Sequence, residues 1–118
     1  MPQYLLAVNH TSEDLAAMDA MTPEEMQANF DATGKVNDQM QAEGVWVFAG
    51  GLMTHDATTT VDNTGAEAII TDGPFAESKE LIGGYVIVSA ASLAEAGHWA
   101  ARYIYAVGAQ EVDVREME

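Results

Sequence analysis

The sequence predicts an α+β fold built on one antiparallel sheet, and three observations carry that prediction. Strand-like and helical stretches follow one another as strand, helix, four strands, helix, strand. The runs 4–8, 45–49 and 85–88 are apolar at successive positions rather than alternating, the pattern of strands covered on both faces. Two helix starts carry the capping pattern of a Ser or Thr followed three residues later by Glu.

The first strand is expected over 3–9. The connection 10–21 contains Ser12-Glu13-Asp14-Leu15, a short helical turn with Ser12 as its cap. The first main helix starts at Thr22-Pro23-Glu24-Glu25, with Thr22 as N-cap, Pro23 at the first helical position and Glu25 closing a capping box. Met26, Phe30, Thr33, Asn37 and Met40 share one face with Val36 beside them, and Gly44 ends the helix. Gly34 in its middle costs about 1 kcal/mol relative to Ala. A strand is expected over 45–52, then a hairpin of 58–61 and 67–71 around Asp62-Asn63-Thr64-Gly65. The strand 84–89, a helix opened by Ser92-Leu93-Ala94-Glu95 and reaching about residue 103, and a last strand over 110–116 complete the order. Two helices cover one sheet face. The apolar residues on the other face require a cover, and a second copy of the same sheet supplies it with two-fold symmetry, so a homodimer is expected.

At 118 residues the chain is expected to form one domain over 1–118, large enough to bury a core without staples. It has no cysteine, which excludes disulfides and thiolate chemistry and fits a reducing cytoplasm. The apolar start at 4–8 is too short for a secretory signal, and a soluble, cytoplasmic protein is expected. Four Lys and Arg against nineteen Asp and Glu give a formal net charge of −15. A field of that sign repels phosphate backbones and anionic lipid, so neither nucleic acid nor membrane is an expected partner. No cofactor fingerprint is present, no cofactor is expected, and His10, His55 and His98 show no metal-ligand spacing.

The densest motif is Asp72-Gly73-Pro74-Phe75-Ala76-Glu77-Ser78-Lys79-Glu80, followed by Leu81-Ile82-Gly83-Gly84-Tyr85. It joins two strand-like runs, and loops held by a rigid sheet are where sites sit. With Gly50-Gly51-Leu52, Ala57-Thr58-Thr59-Thr60-Val61 and the Thr22-Pro23-Glu24-Glu25-Met26 helix start, it resembles the signature of the YCII-related family, in its DGPF-domain branch. The similarity runs over nearly the whole chain. It implies a ferredoxin-like α+β fold, with helices on one sheet face, that pairs into a dimeric α/β barrel. Some members of that family use a His–Asp pair for dehalogenation or related lyase chemistry on ring compounds. The matching places here hold Glu25 and Ala42, so that dyad is missing. The DGPF branch is often encoded beside, or fused to, sigma factors of the extracytoplasmic-function type, which implies a regulatory setting. Where relatives carry a basic residue after the Thr-Thr-Val run, this chain has Asp62.

From the residues themselves, Asp72 before Gly-Pro serves either as an Asx-turn former or as a general acid or base near Glu77 and Glu80. Phe75 is a plug under the loop or a stacking platform. Lys79 either holds negative charge on a substrate or pairs with a neighbouring Glu at the surface. His55 is a candidate proton carrier approaching from the preceding strand's end, and Tyr85 a cleft wall. His98, with Glu95 and Arg102 at helical spacing, belongs to a solvated charged face. Two functions follow. One is lyase- or isomerase-type proton transfer on a small organic acid or ring compound bound beside 72–80, with Asp72 and His55 catalytic and Lys79, Phe75, Glu77 and Tyr85 binding. The other is a non-catalytic ligand sensor or docking module tied to a sigma-factor-related partner.

Overall fold

A computed structural model describes residues 1–53, 55–73 and 81–118, with His55 described by its backbone alone. The elements are β1 (Gln3–His10), α1 (Ser12–Asp19), α2 (Pro23–Ala42), β2 (Trp46–Gly51), a 3₁₀ turn (His55–Ala57), β3 (Thr59–Asp62), β4 (Ile69–Asp72), β5 (Leu81–Ser89), α3 (Leu93–Val107) and β6 (Glu111–Glu116). The main sheet has four strands in the order β2-β5-β1-β6, and its pairings are all antiparallel. Counting its strands along the chain, that is the ferredoxin-like order. β3 and β4 pair with each other in a separate two-stranded sheet.

Alternation along the strands decides which side chains meet the helices. Tyr4, Leu6 and Val8 of β1 pair with Val88, Val86 and Gly84 of β5, and the apolar members of these pairs lie in the core. α3 buries Ala96, Trp99, Ala100, Tyr103 and Ala106, one helical stripe whose alanines let the helix sit close to the sheet. α2 contributes Val36 and Met40. Leu6, Met40, Val86 and Val88 are fully buried, and each such side chain stabilises the fold by roughly 1.5–3 kcal/mol. The opposite face of β2, β5 and β1 carries Phe48, Ile87, Tyr85, Leu5 and Ala7 in register. Phe48 is 53% exposed there, and its ring lies 6.2 Å from that of Tyr85.

Several local expectations shift. Thr11, not Ser12, caps α1: its hydroxyl accepts the Asp14 N–H at 3.2 Å while the Asp14 carboxylate accepts the Thr11 N–H at 2.9 Å. Thr22 caps α2 through the Glu25 N–H, and Ser92 caps α3 through the Glu95 N–H. The Glu95 carboxylate reaches one residue further back than a capping box requires, to the Ala91 N–H. α3 runs on to Val107, because Tyr103 and Ala106 still face the core, and ends at Gly108 with φ 75°. β5 begins at Leu81, three residues earlier than the strand expected over 84–89. Trp46 packs against the core, while its strand neighbour Phe48 occupies the open face. Among the described residues no helix is long and apolar enough to cross a membrane.

α2 runs unbroken through Gly34, and a Cβ built there meets nothing within 4 Å. Gly34→Ala is therefore expected to stabilise the protein by about 0.5–1 kcal/mol by restricting the unfolded chain and favouring the helix. Chemical denaturation should show a higher midpoint with an unchanged slope. A lower midpoint would mean that α2 needs the glycine.

Candidate functional site

The candidate site is a cleft between the sheet and the α1–α2 segment, with a volume of about 440 Å³. Its floor is sheet: Val8, Ala49, Gly51, Gly83 and Gly84. Met18, Met21, Met26 and Phe30 line it from the helical side, and Tyr103 and Val107 from α3. Four polar side chains complete the lining, His10, Asn29, Thr33 and Asn37.

His10 reaches this place by the regular alternation of β1, on the face of Tyr4, Leu6 and Val8, and there it meets a register shift in β5. Val8 pairs with Gly84 but Asn9 pairs with Ile82, so Gly83 is an extra residue on β5, a β-bulge. Asn9 faces the other side of the sheet, where its amide donates to Asp113 Oδ2 at 2.7 Å. His10 then falls on the helix side. A Cβ built at Gly83 would collide with its imidazole ring. The glycine is thus required by the close approach of that ring, and the Thr11–Asp14 capping box fixes the chain immediately after it.

On α2, the residues Met26, Phe30, Thr33 and Asn37 form one stripe at helical spacing, and all four line the cleft. The sequence placed these four on one face together with Met40, with Val36 beside them. Of this set only Val36 and Met40 are buried, and Phe30 is 68% exposed. The polar Thr33 and Asn37 on an otherwise apolar stripe were the sequence signal for a cleft. Asn37 Oδ1 is buried and has no hydrogen-bond partner among the described residues. Asn29 donates weakly to the Met21 sulfur at 3.8 Å. Burial raises the Tyr103 phenol above its ordinary value, so it stays neutral across the physiological range.

Among the described lining residues there is no Asp, Glu, Lys or Arg. Chemically, the cleft offers a largely apolar lining, neutral hydrogen-bonding groups and one imidazole. No group of three or more His, Cys, Asp or Glu that could hold a metal ion occurs among the described residues.

The residues singled out in the sequence fall elsewhere. Asp72 ends β4, exposed and paired with Thr59, outside the cleft lining. Gly73 beside it has φ 98°; its N–H donates to Thr58 O at 2.6 Å and its carbonyl accepts from the Thr60 hydroxyl at 2.7 Å. Tyr85 lies on the open sheet face, its ring against Gly50 and Phe48. Phe75, Glu77 and Lys79 lie outside the described residues, as does the side chain of His55. Glu25 and Ala42, at the places of the missing dyad, are exposed near opposite ends of α2, and neither lines the cleft. His98 is exposed, on the shallow groove between α2 and α3 that Lys35 and Arg102 also line.

The ferredoxin-like sheet with a helix-covered cleft defines an α+β domain able to enclose a small molecule. The family model of the YCII-related domain matches residues 3–118, and the chain belongs to the YCII-related family. A search of curated proteins finds no match.

The bulge makes a direct prediction. Gly83→Ala should push the His10 ring out of the cleft, with a stability loss of roughly 1–3 kcal/mol from the forced shift. Imidazole resonances of His10 in long-range ¹H–¹⁵N spectra should move while those of His98 stay in place. Unchanged His10 resonances would show that the ring does not depend on the glycine.

Proposed function

We propose that this protein, as a member of the DGPF branch, binds a small ring compound in the α1–α2 cleft, and that His10 carries the proton in any lyase- or isomerase-type step. The observation that supports this reading most is the cleft's composition. It has apolar walls on several elements, with His10, Thr33 and Asn37 among its lining. Proton transfer needs a side chain that can give and take a proton, and His10 supplies the imidazole of the described lining. An organic acid would need a cation to hold it. Lys35 and Arg102 line the outer helical groove and Arg115 pairs with Leu5 on β6, which leaves Lys79 for that part. Asp72 and His55, next to the chain segments that enter and leave the hairpin, stand as further proton carriers in the organic-acid version. A ligand-sensing module tied to an extracytoplasmic-function sigma factor would use the same cleft without turnover.

Native mass spectrometry of the purified protein against a set of small aromatic compounds is expected to show one-to-one adducts. Phe30→Asp, which places a carboxylate on the cleft wall at an exposed position, should abolish them without unfolding the protein. Retention of the adducts by Phe30→Asp would place the ligand elsewhere. Where turnover is found, His10→Asn should remove it and leave binding; binding without turnover in the unaltered protein favours the sensor.

We further propose that the open face of β2, β5 and β1 packs against a second copy, as in a dimeric α/β barrel. Leu5, Phe48, Ile82, Tyr85 and Ile87 supply the apolar surface that supports this. Sedimentation velocity at micromolar concentration should give a dimer, and Phe48→Glu a folded monomer. A monomeric unaltered protein would overturn the assembly.

A further inference from the structure

The charge of the ligand can be argued from where this chain keeps its own charges. The formal net charge is −15, with four Lys and Arg in all. Lys35 and Arg102 stand on the outer groove between α2 and α3, where the Arg102 guanidinium donates to Gln39 Oε1 and lies 4.6 Å from the centre of the Trp99 ring. Arg115 is paired with Leu5, on the side of the sheet away from the helices. The described lining of the cleft holds neither cation nor carboxylate. An anionic ligand would approach against the field of the whole protein and then lose its hydration without a counter-charge, which costs several kcal/mol.

The walls suit something flat and polarisable. Met18, Met21 and Met26 are unbranched thioethers that adapt to a ring and make favourable sulfur–aromatic contacts, and Phe30 adds a ring of its own. The polar end is set by Asn37. Its Oδ1 is buried without a partner among the described residues and gains by meeting a ligand donor, and the amide's oxygen and nitrogen can exchange places by rotation. A hydroxyl is both donor and acceptor and satisfies the amide in either orientation.

Resting on the cleft reading above, we infer that the site takes an uncharged aromatic compound carrying a hydroxyl, of one or two fused rings, with the hydroxyl at Asn37 and His10, and that it discriminates against the matching carboxylate. The cleft volume of about 440 Å³ is in the range of small-ligand sites. Asn37 is a positioning residue for the hydroxyl.

The test compares 1-naphthol, 1-naphthoate and 1-methylnaphthalene by isothermal titration calorimetry at neutral pH, where the naphthol is neutral and the acid ionised. 1-Naphthol is expected to bind about tenfold or more tightly than 1-naphthoate. Asn37→Leu should bring 1-naphthol down to the level of 1-methylnaphthalene, and Lys79→Ala should leave 1-naphthol binding unchanged. Equal or tighter binding of 1-naphthoate, lost in Lys79→Ala, would overturn the inference and return the organic acid, with the cleft reading intact. Binding of 1-methylnaphthalene as tight as that of 1-naphthol would overturn the role of the hydroxyl. Binding of none of the three would overturn the cleft reading and this inference with it.

Discussion

Val36 and Met40 tie α2 to the core by its C-terminal half, and that one-ended attachment shapes what surrounds it. A twenty-residue helix buried along its whole length would close over the sheet. Here the N-terminal half carries Met26 and Phe30 at its inward stripe and leaves both exposed. The space beneath them is the cleft. α3 shows the contrast, because its small residues Ala96, Ala100 and Ala106 alternate with Trp99 and Tyr103 along one buried stripe. The two helices thus divide the work on one sheet face: α3 closes the core, and α2 both closes it and frames an opening.

The sheet contributes through its irregularities as much as through its regular pairing. An unbulged β1–β5 ladder would continue the alternation past Val8 without the extra residue at Gly83. β1 itself keeps its alternation, so His10 lies on the helix side, where the extra glycine makes room for its ring, and Asn9 is committed to Asp113 on the other. Neighbouring strand residues thereby serve different faces, one holding β6 to β1 and the other supplying the cleft's imidazole. Gly50 plays a comparable part on the opposite face, where the Tyr85 ring lies so near that a Cβ would contact its hydroxyl at 3.1 Å. Gly50 and Gly83 thus let side chains from adjacent strands lie close over the sheet.

The element order was legible because it rests on local signals: apolar runs, Thr22-Pro23 and Ser92 at helix starts, Gly44 at a helix end. These determine backbone state within a few residues of themselves. The site was less legible, since it depends on which strands become neighbours. His10 reads as an ordinary strand-end residue until β1 is set against Gly83, seventy positions further on, and nothing local reveals that meeting. The α2 stripe was read correctly as a face, but apolar periodicity does not distinguish a face that packs from one that lines a space. Thr33 and Asn37 carried that distinction. The dense motif at 72–80 drew attention by composition, and the described part of it, Asp72 and Gly73, is occupied with closing the β3–β4 ladder.

The same division of faces bears on the protein's acidity. β6 places Val112 and Val114 toward the helices and Glu111, Asp113 and Arg115 on the open side, so the apolar stripe formed by Leu5, Ile87, Tyr85 and Phe48 ends at a charged border. A chain of this charge repels its own copies at long range, but that repulsion is screened within about 8 Å at physiological salt. Apolar contact acts at shorter distance and gains about 25 cal/mol per Å² removed from water. Acidity and the proposed pairing of open faces are therefore compatible. In that dimer the charge would keep molecules apart except where the uncharged stripe meets its own copy, and the border at β6 would limit how far the two sheets slide across each other.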